Sequence, residues 1–182
     1  MKTETKNMTM DQAKQNLYFE YKGDKRIWIE TGAAMGDGIQ CAVNANFDKV
    51  YSIELSKDLY DICDDLFENN EKVKLFNGDS LEVLPKLLED MAEPFVLMLD
   101  AHWSGGPYIG EKQYTFLPKE ISSIIKHSEK FSDSTIIVDD MSEFINDTDW
   151  CDSIYDLVLK VKPNATKEDY IFPNGHIMWV FV

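Results

Sequence analysis

The sequence predicts an α/β fold: a parallel sheet covered by helices on both faces and finished by an antiparallel hairpin. Two observations predict it. Five short apolar runs alternate with longer stretches that carry apolar residues at helical spacing, the pattern of strand–helix units feeding a parallel sheet. From residue 165 onward the pattern changes, and "ATKEDYIFPNGHIMWVFV" reads as two strands joined at Asn174-Gly175, a dipeptide suited to a tight hairpin. At 182 residues the chain has room for one domain with a sizeable core.

The elements follow in order. Residues 1–25 stand apart from the domain at 26–182; there "MDQAKQNLYFEY" reads as a short amphipathic helix packing through Leu17, Phe19 and Tyr21, or as a lid over the site. The strands are "RIWIET" (26–31), "KVYSIEL" (49–55), "VKLFNG" (73–78), "FVLMLD" (95–100) and "STIIVDD" (134–140). Helical spacing occupies 36–47, 56–70, 80–91, 115–131 and 150–161. Ser56 and Ser80 are the expected N-caps of the second and third of these helices. Pro85 and Pro118 predict breaks in their helices unless each falls in a first turn.

Charge and cysteine usage narrow the partners. A net charge of −15 with no basic patch denser than "KGDKR" repels a phosphate backbone, so nucleic acid is not an expected partner. Cys41, Cys63 and Cys151 are odd in number and widely spaced, which fits neither a disulfide framework nor a C-x-x-C metal motif. They read as small buried hydrophobes. No run is long enough to span a membrane, and "MKTETKNMTMDQ" lacks the apolar core of a signal peptide. The expectation is a reduced, cytoplasmic protein without a membrane partner.

In an open α/β sheet, ligands bind beyond the carboxyl ends of the strands, where the strand order reverses. Here those ends are acidic: Glu30, Glu54, Asp79, Asp100 and Asp139. One such acid is explained by the dipole of the following helix, but five in succession are not. The first opens "IETGAAMGDG", in which Gly32, Gly36 and Gly38 let backbone approach a ligand at a helix N-terminus. The spacing is G-x-x-x-G-x-G, not the dinucleotide fingerprint G-x-G-x-x-G. Glu54, about 20 residues beyond the glycines, stands where a nucleoside site places an acid on ribose hydroxyls. "NGDS" then brings Asp79 and Ser80 within reach of an adenine ring.

Taken in order, "ETGAAMGDG", "VYSIELS", "NGDS", "FVLMLDAHW" and "TIIVDD" resemble the class I S-adenosylmethionine-dependent methyltransferases across residues 26–182. That family has a Rossmann-like seven-stranded sheet ending in an antiparallel hairpin. Many members carry glycine where this chain has Ala34. The catechol O-methyltransferase branch does not, and it is also similar at Glu30, Gly32 and Gly36 and at Leu84 to Leu87. The resemblance implies that Glu54 holds the ribose and Asp79 with Ser80 the adenine edge. Glu30 and the loop of Gly32, Ala33, Gly36 and Gly38 would hold the methionine end, with Asp100 against the cofactor.

The same resemblance implies a divalent ion, because catechol-type enzymes ligate one with acids where this chain has Asp100, Asp139 and Asp140. Physical reasoning reaches the same place: three carboxylates converging at neighbouring strand ends repel one another unless a cation sits between them. All-oxygen ligation favours Mg²⁺ or Ca²⁺. The lysine that the catechol enzymes use as base is replaced by Trp103. His102 is the expected base instead, beside Asp100, because histidine is the side-chain type suited to proton removal at neutral pH. Gly105, Gly106 and Gly110 suggest a closing loop over the acceptor. His127 and His176 read as structural.

The expected function is O-methylation of a small-molecule or sugar-type acceptor, with the 101–116 loop, residues 1–25 or a second copy in a homodimer shaping its pocket. Two rivals are a catalytically silent regulatory protein that binds S-adenosylmethionine and a nicotinamide-dependent oxidoreductase.

Overall fold

The computed structural model describes residues 9–102 and 112–182. Trp103, Gly105, Gly106 and Gly110 lie outside the described residues, as does most of the expected closing loop.

The first helix, α1 (Met10–Lys22), starts at a capping box in which Thr9 and Gln12 satisfy each other's backbone N–H groups. Its buried face is Ala13, Leu17, Tyr18 and Tyr21, whereas Phe19 is 70% exposed. The expected trio of Leu17, Phe19 and Tyr21 is corrected here. Residues two apart share a face in a strand, but in a helix they lie on nearly opposite sides, so Tyr18 takes the place of Phe19.

The core alternates as expected. The strands β1 (Ile27–Thr31), β2 (Lys49–Glu54), β3 (Val73–Asn77), β4 (Phe95–Leu99) and β5 (Thr135–Val138) are followed by β6 (Lys167–Ile171) and β7 (Ile177–Phe181). Between them run α2 (Asp37–Asn44), α3 (Lys57–Phe67), α4 (Ser80–Glu89), α5 (Gln113–Ile124) and α6 (Thr148–Val161). The sheet order is β3-β2-β1-β4-β5-β7-β6, and only the pairings made by β7 are antiparallel. β1 and β4 are buried at every position, as strands covered on both faces must be. One apolar cluster joins the sheet to α1, α2 and α3, and a second joins it to α4, α5 and α6. The helices therefore cover both faces.

Two local expectations fail for identifiable reasons. Pro85 and Pro118 each sit at the sixth position of α4 and α5, beyond the first turn, yet neither helix breaks. An interior proline costs about 3 kcal/mol. Burying Leu84 and Leu88 against the sheet contributes about 2 kcal/mol each, which offsets it in α4. Ser56 caps α3 as expected, accepting from Leu59 N at 3.4 Å. Ser80 does not cap α4. Asp79 does so, accepting from Leu81 N at 2.9 Å.

The three cysteines are free and buried. No helix among the described residues is long and apolar enough to cross a membrane.

Candidate functional site

The strand order reverses between β1 and β4, and a cavity of about 280 Å³ opens at their carboxyl ends. The loop after β1 forms one wall. Gly32 has φ +83°, and a Cβ there would lie 2.5 Å from the Asp100 carbonyl oxygen, so β1 and β4 can end side by side only with glycine at this position. Two residues on, Ala34 is also left-handed at φ 48°. Its N–H donates to Glu54 Oε2 at 3.0 Å, while Ser56 N donates to Glu54 Oε1 at 2.8 Å. Glu54 is thereby fixed at the end of β2 by two backbone groups and faces the cavity.

Glu30 behaves differently. It lies behind the loop and accepts from Trp28 Nε1 at 3.1 Å and Ser52 Oγ at 2.8 Å. Burial pushes its pKa up to about 7 against the pull of those hydrogen bonds. A Cβ on Gly38 would lie 2.5 Å from its Oε2, so this glycine makes room for the buried acid under α2. Of the expected cofactor residues, Gly32, Glu54, Asp79, Ser80 and Asp100 line the cavity, and Glu30, Ala33, Gly36 and Gly38 stand outside it.

A second buried acid, Glu120 on α5, carries no sequence signal. It accepts from Ser80 Oγ at 2.5 Å and from the Thr31 hydroxyl, and burial raises its pKa to about 7. Thr31 Oγ in turn accepts from Asp100 N at 3.2 Å. Glu120 thus ties the ends of β1 and β4 to the start of α4 from behind the site.

The other half of the cavity gathers at the ends of β4 and β5. His102 Nε2 pairs with Asp140 Oδ2 at 2.8 Å, and its Nδ1 lies 3.6 Å from Asp100 Oδ1. His176, from the hairpin, pairs through Nε2 with Asp139 Oδ1, and its Nδ1 lies 3.4 Å from Asp140 Oδ1. Lys14 Nζ, from α1, is 3.8 Å from Asp139 Oδ2. Acids and bases alternate along this chain. Burial and the Asp139 charge push Asp100 well above the usual carboxylate range. For Asp140, burial is outweighed by the His102 hydrogen bond and charge, and its pKa falls. For His176, burial is outweighed by Asp139 and Asp140, and its pKa rises. Asp140 sits in the left-handed region at φ 55°, a backbone strain of the kind that aims side chains at functional sites.

The sequence alone reads His176 as structural, and the structure places it in the cavity wall, paired with Asp139. Lys14, which has no role in the sequence reading, lines the same wall. Neither position carries a local signal, because each enters through a distant element. Three converging acids call for a cation, and the protein itself supplies part of that charge. Lys14 and the two histidines stand among Asp100, Asp139 and Asp140.

The described residues include two sets of three whose donor atoms lie within 4.8 Å of one another: Asp100, His102 and Asp140, and Asp139, Asp140 and His176. The three expected carboxylates do not form such a set alone. Each set joins two carboxylates to one imidazole, a donor set that fits a divalent ion.

No protein-family model and no curated protein matches the sequence. Solved structures do match. An O-methyltransferase from Bacillus cereus in complex with SAH superposes with a TM-score of 0.67 at 18% identity, over 98% of this chain and 84% of that one. TomG, an O-methyltransferase from Streptomyces achromogenes in complex with SAM, gives 0.66 at 15% identity, over 97% and 80%. The fold is theirs. Spermidine synthase from Thermotoga maritima shares it too, with a TM-score of 0.64 at 11% identity over 100% and 62%. One fold thus hosts more than one activity, and the chemistry must be argued from the site.

Proposed function

We propose that the chain binds S-adenosylmethionine and transfers its methyl group to an oxygen of a small-molecule or sugar-type acceptor, aided by a divalent cation. The observation that carries this reading is the order of groups around one cavity: Gly32 and Ala34 after β1, Glu54 after β2, Asp79 and Ser80 after β3. A nucleoside lying across the strand ends meets them in that sequence. Glu54 suits paired ribose hydroxyls, because its two backbone donors fix the carboxylate and leave lone pairs to accept more. The order of strands supports the same choice over a nicotinamide enzyme, whose sheet runs 3-2-1-4-5-6 without an antiparallel strand inserted beside the fifth.

When bound, S-adenosylmethionine supplies an activated methyl group on a sulfonium. The protein then has to align the acceptor oxygen and take its proton. His102 is placed to take that proton at Nδ1, because its Nε2 is paired with Asp140, and this role goes with a cation held by the other set, Asp139, Asp140 and His176. A cation held by Asp100, His102 and Asp140, or by Asp139, Asp140 and His176, would lower the pKa of the acceptor hydroxyl. The imidazole in each set suits Mn²⁺ or Zn²⁺ better than the all-oxygen ligation typical of Mg²⁺ or Ca²⁺.

The test is thermal stability with separate ligands, since a ligand that binds only the native state raises its melting temperature. S-adenosylhomocysteine should raise it and NAD should not. Stabilisation by NAD alone would overturn the cofactor assignment. Turnover of S-adenosylmethionine against a panel of hydroxylated acceptors, lowered in His102→Ala, then separates an enzyme from a silent binding protein.

A further inference from the structure

We propose that Lys14 is the resident cation of the acidic site and sets how tightly that site holds a divalent ion. The inference rests on the proposed function only in taking the ends of β4 and β5 as the place where such an ion binds.

Lys14 is delivered by a fixed element. Ala13, Leu17 and Tyr18 beside it on α1 are buried, and the Tyr18 ring lies 4.0 Å from that of Trp28. At the far end of the helix, Tyr21 Oη donates to Glu168 Oε2 at 2.6 Å on β6. Met10 and Lys14, one helical turn apart, both reach the cavity wall. The ammonium stands 3.8 Å from Asp139 Oδ2, with 24% of its side chain exposed. His176 pairs with the other oxygen of the same carboxylate, so Lys14 and His176 face each other across Asp139.

A unit charge so close to Asp139 lowers the negative potential that a divalent ion would feel at the same carboxylate. Attraction to Lys14 and attraction to the ion are therefore alternatives at Asp139. The N-terminal helix is neither a mere packing element nor a simple cover; it carries a counter-charge into the site. Removing that charge should strengthen divalent-ion binding rather than weaken it, which is the reverse of what loss of an ordinary site residue does.

The experiment titrates the full chain with MnCl₂ and, separately, MgCl₂ by calorimetry, without cofactor or acceptor. Lys14→Met should bind Mn²⁺ at least about tenfold more tightly than the parent, and Lys14→Arg, which keeps the charge, should match the parent. Adding Asp139→Asn to Lys14→Met should cancel the gain. Equal or weaker binding in Lys14→Met would overturn the proposal, as would an equal gain in Lys14→Arg. Should Lys14→Met fail to fold, Lys14→Gln is read in its place against the same outcomes. S-adenosylhomocysteine binding to the same proteins, measured without metal, reports on the proposed function independently: its failure would leave the ion comparison readable.

Discussion

The two halves of the cavity hold their acids in different ways. At the ends of β2 and β3, each carboxylate is fixed by backbone N–H groups a few residues away or in the adjoining loop: Glu54 by Ala34 and Ser56, Asp79 by Leu81. At the ends of β4 and β5, Asp139 also accepts a backbone N–H, from Asp140 at 2.7 Å, but Asp100, Asp139 and Asp140 in addition meet the titratable side chains of His102, His176 and Lys14. Backbone donors come with the fold and do not titrate. Side-chain partners titrate, exchange and compete with ions. The first half is built to present one fixed shape, the second to manage charge.

The largest effect that would break this comparison is a crossed response. Glu54→Ala should weaken S-adenosylhomocysteine about a hundredfold by calorimetry, the loss expected for two hydrogen bonds to a charged acceptor, with any divalent-ion response intact. Asp140→Ala, which removes the one carboxylate common to both candidate ion sets, should do the converse, abolishing stabilisation by a divalent ion and leaving cofactor affinity within about threefold. If both variants lose both responses, the cavity has no two halves.

A smaller effect concerns pH. Glu30 and Glu120, buried behind the cofactor half, have pKa values of about 7, against about 4.3 for an exposed glutamate. The folded protein therefore holds protons that the unfolded chain has released. The stability these groups contribute is complete below about pH 4 and falls as pH rises to about 7, by roughly 3–4 kcal/mol per carboxyl. Glu30→Gln and Glu120→Gln should each flatten the decline in melting temperature between about pH 5 and 7.5. A slope identical to that of the parent would mean these acids titrate normally.

The smallest effect tests the backbone itself. Ala34 is left-handed, a conformation that glycine adopts without the cost a Cβ brings. Ala34→Gly should be neutral to stabilising by up to roughly 1 kcal/mol in denaturant unfolding, because relief of strain outweighs the added freedom of the unfolded chain. A clear loss of stability would show that the turn tolerates alanine without strain.

The same contrast explains what is legible in the sequence. Strands, helices and the hairpin follow from periodicity, and the acids of the cofactor half follow from their place at strand ends. The wrong face for Phe19 comes from reading a helix with a strand's spacing. Pro85 and Pro118 mislead because burial against the sheet outweighs a local preference. His176 and Lys14 are invisible because their meaning depends on a β-hairpin and an N-terminal helix converging on β5, and no local pattern encodes a meeting of segments 162 residues apart.

That convergence also orders events in time. Among the described strands β7 comes last in sequence, yet it lies inside the sheet, between β5 and β6. During synthesis from the N-terminus, β5 waits as an open edge until Ile177–Phe181 arrives, and His176 arrives with it. The residues of the cofactor half all precede β5 in the chain, whereas the charge-managing half also needs His176, which follows it. A nascent or truncated chain is therefore a sheet with an open edge and an Asp139 that has yet to meet His176. Competence in the acceptor half is thereby coupled to completion of the fold.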